Sequence, residues 1–291
     1  MSNAAILFLH AVTGLHPGSG TALGVVDLPV QRERHTNWPI IPGSSLKGVL
    51  REAFRTKTDK ETCFALFGPE TGADHAGALA FTDARILAFP VRSLKGVFAW
   101  VTCPAVLERL ARDMRVIGME EKKILSLPSI SASDQMLCAE KSPILIDAKS
   151  ALLEEFEFTR SGSADAAAKW LADHAAVDDA AKKRLLSHLV VLCDDDFTHF
   201  VTHATEVAAR VGLDSETRTV KKGALFWEEF LPPETLMYAL VPADKSRRQS
   251  NTLSAGEVLE IFKTGLPKTL QIGGGETVGK GLCLAKLEDC L

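Results

Sequence analysis

The side chains with the clearest capacity to bind an anion lie in one basic segment of the sequence. Lys47, Arg51 and Arg55 recur at intervals of four residues, which places all three on one face of a predicted helix. Ser44 or Ser45 can cap that helix, and the free N–H groups and dipole at its N-terminus add positive potential. The pattern suits a phosphodiester backbone, with a solvated basic face as the alternative interpretation.

The loop before this helix supplies further charge and the strongest catalytic candidate. Arg32, Arg34 and His35 lie within it, and Asp27 is the only acidic residue between Met1 and Arg32. The Asp27 carboxylate could accept a proton, ligate one magnesium ion or cap a turn. His16, at the end of the first predicted strand, could assist as an acid or base, although a single histidine is more often structural.

Two other motifs resemble known sites but lack a required part. His199 and His203 have the i, i+4 spacing of a metal pair, but no third ligand is evident, so no metal site is predicted. The stretch "GGGETVGKG" satisfies G-x-x-x-x-G-K, yet Gly281 stands where a P-loop needs Ser or Thr, and an alternating strand follows. No ATP binding is therefore predicted. Gly274 and Gly275 instead permit close backbone approach and offer N–H groups to an anion.

Composition narrows the class of protein. The 291 residues are 46% hydrophobic and 24% charged, with a net charge of −4, as expected for a globular chain with a local basic patch rather than a basic surface. No apolar run is long enough to span a membrane, and no signal peptide is evident. The six cysteines are scattered without a C-x-x-C pair. These features predict a cytoplasmic protein with reduced thiols.

Periodicity predicts one elaborated α+β domain over residues 1–291. A central strand is followed by a loop from Pro17 to Pro42, whose length favours a functional role, and then by the basic helix. Residues 116–190 read as an insertion, with two Ala-rich helices over 164–190. The run from 189 to 214 is predicted as a short strand leading into a helix, and Lys221 to Gly223 as a hairpin tip. The order of elements resembles a β-α-β-β-α-β sheet with insertions.

Several segments together resemble a known family. They are "LHPGSGTALGVVDLPVQRERHTNWPIIPGSSLKGVLRE", "LFGPETG…GALAFTDAR", "GALFWEEFLPPETLMYALV" and "IGGGETVGKG". They are similar to the repeat-associated (RAMP) proteins of CRISPR systems, specifically the backbone subunit of the type III-B, or Cmr, effector complex. Only residues 116–190 contribute little to this likeness.

The resemblance implies a ferredoxin-like (RRM-like) palm with an inserted helical region and a protruding hairpin thumb at about 212–232. It implies several copies joined head-to-tail along a guide crRNA, together with other Cmr subunits, that cut complementary single-stranded target RNA at regular intervals. A transient Mg²⁺ or other divalent cation is the implied cofactor. Two alternatives stay open: a non-catalytic RNA-binding subunit and a stand-alone guide-processing endoribonuclease.

Carried over by position, the family pattern assigns cleavage to Asp27, while His16 stays a candidate acid or base from its position in the sequence alone. Ser45 and Lys47 would contact guide phosphates, and the glycine loop Gly273–Gly281 would lie near RNA or pack beneath it. Glu228 and Glu229 could lie near the Asp27 of a neighbouring copy, or could mark an exposed strand edge. The full set of predicted RNA-binding residues is Ser45, Lys47, Arg51, Arg32, Arg34, Lys221, Lys222, Gly274, Gly275 and Lys280.

Overall fold

The computed structural model describes residues 3–22, 24–70, 75–248 and 252–289, except the side chain of Lys222. The strands are β1 (Ala4–Ala11), β2 (Ile40–Ile41), β3 (Ala84–Arg92), β4 (Phe98–Thr102), β5 (Gln135–Cys138), β6 (Ser150–Leu153), β7 (Phe156–Gly162), β8 (Leu189–Val191), β9 (Glu206–Leu213), β10 (Val220–Phe230), β11 (Leu236–Pro242), β12 (Thr269–Gln271) and β13 (Leu282–Asp289). The helices are α1 (Gly43–Arg55), α2 (Lys60–Phe67), α3 (Pro104–Val116), α4 (Asp165–His174), α5 (Asp179–His188), α6 (Asp194–His203) and α7 (Ala255–Gly265). The fold is therefore α+β, as predicted.

Most strands form one mixed sheet, with a hairpin standing apart from it. The sheet has eleven strands in the order β12-β13-β1-β11-β3-β4-β8-β5-β7-β6, and β2 pairs with β3. At its centre, β1 pairs antiparallel with both β11 and β13. Strands β9 and β10 form a separate two-stranded sheet. The separate hairpin matters for function because the candidate site lies along β10.

The two faces of the sheet carry two hydrophobic cores. Leu7 and Leu9 of β1 pack with α1, α2 and α7 on one face, while Ile6 and Phe8 pack with α3, α4, α5 and α6 on the other. All eight residues of β1 are buried. This confirms the prediction of a central strand, since only a strand covered on both faces is apolar at consecutive positions.

The segment predicted as an insertion extends the sheet instead of forming a separate layer. Its strand β8 continues the sheet by pairing parallel with β4, and β5 and β7 follow. The two Ala-rich helices are present as α4 and α5. The stretch "LLEEFEFTR" contains the turn of a hairpin formed by β6 and β7, and the chain turns at Glu154, where φ is +49°.

The predicted helix after β8 ends earlier than expected. Helix α6 ends at His203, and residues 206–213 form strand β9, which pairs antiparallel with β10. Pairing with β10 overrides the helical propensity of "EVAAR", because strand preference depends on cross-strand neighbours. The hairpin turn also differs from the prediction. It is made by Asp214, whose carboxylate accepts hydrogen bonds from two backbone N–H groups, whereas Gly223 lies within β10 at an irregularity in the pairing.

Five cysteines within the described residues are free and buried, namely Cys63, Cys103, Cys138, Cys193 and Cys283, while Cys290 lies outside those residues. Over the same ranges, no helix has both the length and the apolar character needed to cross a bilayer.

Candidate functional site

Asp27 is held against strand β10 by one of its two carboxylate oxygens. Its Oδ2 accepts a hydrogen bond of 2.7 Å from the backbone N–H of Trp227. The adjoining backbone continues this contact as a short parallel ladder, in which Leu28 N–H donates to Trp227 O and Glu229 N–H donates to Leu28 O, each at 3.0 Å. Asp27 is half-buried, and its Oδ1 has no hydrogen-bond partner among the described residues. That oxygen is the free acceptor of the site.

His16 lies on the same edge of β10 but is buried. It is 7% exposed, and its Nδ1 contacts Glu229 O at 2.6 Å. Because a carbonyl only accepts, Nδ1 carries the hydrogen in this contact. Residues Trp227 and Glu229 are two apart, so the anchor points of Asp27 and His16 are about 7 Å apart along the strand. The structure thus brings the two predicted catalytic residues to one strand edge.

Glu228 and Glu229 are buried within the same chain, so the reading of an exposed strand edge is wrong. Glu228 accepts a hydrogen bond from Arg210 Nε at 3.0 Å and lies 3.9 Å from His16 Nε2. Glu229 pairs with Arg32 at 2.5 Å. The sequence contained no local signal for the pair of Arg32 and Glu229, because the two residues are 197 positions apart in the chain.

The two arginines predicted to bind RNA from the loop have different surroundings. Arg34 is exposed and has no ion-pair or hydrogen-bond partner in the described part of the chain. Arg32 is 15% exposed at its side chain and donates to Glu229 and to the carbonyls of Asn37 and Val201. Arg34 is therefore available to a ligand, whereas the guanidinium of Arg32 is directed inward. RNA binding by either stays a prediction.

Helix α1 begins at Gly43, so Ser44 and Ser45 lie in its first turn and cap nothing. Pro42 is the N-cap residue and offers no side-chain hydrogen bond. The carboxylate of Asp83 instead accepts from Gly43 N–H at 2.8 Å. The N–H groups of Ser44 and Ser45 have no intrahelical acceptor, as at any helix start, and both residues are exposed. Two backbone donors and two hydroxyls therefore face outward here.

The basic face of α1 is only partly solvated. Burial lowers the pKa of the Lys47 ammonium, and the nearby charge of Arg51 lowers it further. Arg51 donates to the carbonyl of Gly68, and Arg55 pairs with Glu52 on the exposed surface. Lys47 thus carries a charge that the free protein compensates poorly, and an RNA phosphate would compensate it.

The glycine loop folds back onto the chain beside His16. Gly274 N–H donates to His16 O at 3.0 Å, and Gly281 N–H donates to Gly14 O at 2.9 Å. A Cβ on Gly281 would lie 2.2 Å from Ile272 O, so this position requires glycine for close approach. Lys280 Nζ lies 4.7 Å from the centre of the Phe230 ring. The loop therefore binds the backbone at Gly14 and His16. Strand β13 follows the loop, as predicted.

The remaining predicted residues fall outside this cluster. Lys221 is exposed on β10, and the side chain of Lys222 lies outside the described residues. The rings of His199 and His203 are 4.8 Å apart at their centres. Within the described ranges, no group of three or more His, Cys, Asp or Glu residues has the arrangement of a metal site.

Comparison with known proteins supports a single family. The RAMP superfamily profile matches residues 8–284. The chain is 39% identical to the CRISPR system Cmr endoribonuclease Cmr4 of Pyrococcus furiosus, over 98% of this chain and 96% of that protein. It is 27% identical to the CMR subunit Cmr4 of Saccharolobus solfataricus, over 94% and 93%.

Solved structures of similar fold lead to the same family. The crystal structure of oligomeric Cmr4 from Pyrococcus furiosus superposes with a TM-score of 0.77 at 30% identity and covers 99% of both chains. A chain of the type III-B Cmr-beta complex bound to cognate target RNA has a TM-score of 0.74 at 21% identity and covers 99% of this chain and 98% of that one. At 21% identity, the similarity to the Cmr-beta chain supports only a shared fold.

Proposed function

The chain belongs to the RAMP superfamily, and from that premise we propose that it is the endoribonuclease backbone subunit of a type III-B CRISPR effector complex. Several copies would bind one guide crRNA head-to-tail, with other Cmr subunits, and each would cut the paired single-stranded target RNA once. The relative at 39% identity, named a Cmr endoribonuclease, covers nearly the whole chain, which supports this activity over the two alternatives. Such a complex would act in the cytoplasm.

The topology supports a palm and a thumb. Strands β13, β1, β11 and β3 are neighbours in the sheet, and with α1 and α7 they would form the ferredoxin-like palm. The hairpin of β9 and β10 would be the thumb. Val211, Leu213, Leu225 and Trp227 leave large apolar surfaces exposed on this hairpin, which suits an element that inserts against a neighbouring subunit or an unstacked base.

Guide binding would use backbone donors and cations at the start of α1. The outward N–H groups of Ser44 and Ser45 and the partly desolvated charge of Lys47 fit a phosphate. Arg51, Arg34, Lys221 and Lys222 would add charge along the path of the RNA. The folded glycine loop would lie beside the RNA and contact it through Gly274, Gly275 and Lys280. Because these groups meet backbone phosphates, base pairing with the guide would select the target.

The observation that carries the proposed cleavage is the divided role of the Asp27 carboxylate. Oδ2 is anchored on Trp227 N–H, which leaves Oδ1 to orient or deprotonate a ribose 2′-hydroxyl. That hydroxyl would attack the adjacent phosphate once a nucleotide is displaced from A-form stacking, because the helix otherwise keeps it out of line. The bond from phosphorus to the 5′-oxygen of the next nucleotide would break as a 2′,3′-cyclic phosphate forms, and the leaving oxygen would take a proton from water. The thumb would cause this displacement. His16, hydrogen-bonded to the carbonyl of Glu229, would support the strand edge that carries Asp27.

The residues present fit a transient divalent cation to a limited extent. Among the described residues at the site, Asp27 would hold it, because the carboxylates of Glu228 and Glu229 contact arginines. Mg²⁺ commonly binds through one carboxylate together with substrate phosphates. A bound ion would stabilise negative charge on the phosphate during attack.

A denaturing gel of target RNA tests the proposal. The complex assembled with this chain and a guide should give a ladder of regularly spaced products, because each copy cuts once. An intact target that is still bound would favour the non-catalytic subunit. Specific cutting of repeat RNA by the isolated chain would favour the guide-processing enzyme.

A further inference from the structure

Arg32 makes its contacts inside the molecule and not at its surface. Its Nη2 donates to Glu229 Oε1 at 2.5 Å, and the two side chains are 15% and 8% exposed. Its Nη1 donates to the carbonyls of Asn37 and Val201, both at 2.9 Å. Three of the five guanidinium N–H groups therefore serve protein acceptors, and the low exposure of the side chain leaves little of the remaining edge accessible to an RNA phosphate.

Glu229 connects Arg32 to the segment that carries Asp27. Its Oε2 accepts from Val30 N–H at 2.9 Å, and its Oε1 also accepts from Thr205 Oγ1 at 2.8 Å. Its own N–H donates to Leu28 O at 3.0 Å. One residue of β10 therefore holds both ends of the stretch from Leu28 to Val30, and Asp27 is the next residue before that stretch.

Arg32 and Glu229 also form hydrogen bonds with His16 and with residues at and just after the end of α6. The carbonyl of Glu229 accepts from His16, and Val201 and Thr205 place the end of α6 against the same ion pair. A buried carboxylate that loses its cation becomes an uncompensated charge, which is strongly unfavourable. Loss of the arginine would therefore shift Glu229, and with it the ladder that sets the position of Asp27.

We propose that Arg32 and Glu229 are positioning residues that hold the Asp27 segment in register on β10 for RNA cleavage, and that Arg32 does not contact RNA. This inference rests on the proposed function. It separates Arg32 from its neighbour Arg34, which is exposed and stays a candidate RNA contact.

The test compares complexes that contain Arg32→Lys or Arg34→Ala. Lysine keeps the charge of Arg32 but cannot reach three separate acceptors. We expect Arg32→Lys to slow target cleavage about 10- to 100-fold, with RNA affinity and its salt dependence as in wild type. Arg34→Ala should weaken RNA binding and lower its salt slope by about one unit. Weaker binding with a lower salt slope in Arg32→Lys, or cleavage at the wild-type rate, would overturn the proposal.

A double-mutant cycle shows whether Arg32 acts through Asp27. Arg32→Lys should cause no further loss of rate in an Asp27→Asn background, whereas an independent role would make the two losses multiply. Hydrogen exchange on the isolated chain gives a readout that needs no activity. The amides of Leu28, Val30 and Gln31 should exchange faster in Arg32→Lys than in Arg34→Ala, and equal exchange would refute the positioning role. Absence of cleavage by the wild-type complex would instead refute the proposed function.

Discussion

Replacing Asp27 by Asn or by Ala separates its chemical role from its structural one. Asparagine keeps an oxygen that can accept from Trp227 N–H, so the contact that measures 2.7 Å in the native chain survives in weaker form. It removes the negative charge needed to accept a proton or hold a cation. Alanine removes both the charge and the contact. The comparison therefore tests the free oxygen of Asp27 against its anchored oxygen.

The magnitudes decide between the two roles. The lost hydrogen bond joins a backbone N–H to a charged carboxylate and is worth about 1.5–3 kcal/mol, toward the lower end because Trp227 N–H can bind water instead. If Asp27 only organised the loop, a loss of about 1.5 kcal/mol would lower the rate by about tenfold in Asp27→Ala, and by less in Asp27→Asn. A carboxylate that acts on the 2′-hydroxyl contributes about 100- to 10,000-fold. We therefore expect both variants to lose at least about 100-fold in cleavage rate.

Single-turnover cleavage of end-labelled target by assembled complexes measures these rates, and RNA affinity measured in parallel controls for assembly. Thermal unfolding of the isolated chains should show a loss of stability for Asp27→Ala and a smaller one for Asp27→Asn. Cleavage by Asp27→Asn within a few-fold of wild type would remove Asp27 from the chemistry and leave it a loop organiser.

Four further outcomes are expected. Lys47→Met should stabilise the free chain at neutral pH and weaken RNA binding. Burial lowers the pKa of Lys47, so between its folded and usual pKa values the unfolded chain binds more protons than the folded chain, and the free energy of unfolding of the wild type should rise with pH. Unfolding measurements on the variant should show no such rise. Lys47→Ala with Arg51→Ala should weaken RNA binding regardless of sequence and flatten its salt dependence; a wild-type slope in a binding titration would place that face in solvent. Gly43→Ala should destabilise the chain by about 1–3 kcal/mol, because its Cβ would lie 2.4 Å from Phe81 O. Gly48→Ala has open space around the new Cβ and should stabilise α1 by about 0.5–1 kcal/mol. Denaturant unfolding in which both variants changed stability in the same direction would contradict this. Electron microscopy of the chain with long RNA should show open stacked arrays, since head-to-tail contacts do not close; discrete two-fold dimers would refute this.

Local sequence was sufficient for elements whose own residues decide their structure. The central strand predicted at the start of the chain is β1, and the helix predicted to carry the basic residues is α1, whose buried face is formed by Leu46, Leu50 and Phe54 at helical spacing. The missing Ser or Thr at position 281 and the alternation that follows predicted a strand after the glycine loop. These signals are short in range, because strand and helix periods repeat within a few residues.

Tertiary structure decided the features that depend on distant partners. The sequence of strand β9 predicted a helix, whereas in the structure these residues pair with β10. Strand preference depends largely on neighbouring strands, which local sequence does not show. Ser44 and Ser45 read as caps, but Asp83 fills that role from 40 residues away. The sequence predicted that Arg32 binds RNA, because it cannot show that Glu229, 197 residues later, pairs with this side chain. The resemblance of the sequence to a family nominated Asp27 for cleavage, but only the folded chain shows one of its oxygens anchored on Trp227 N–H and the other without a partner among the described residues.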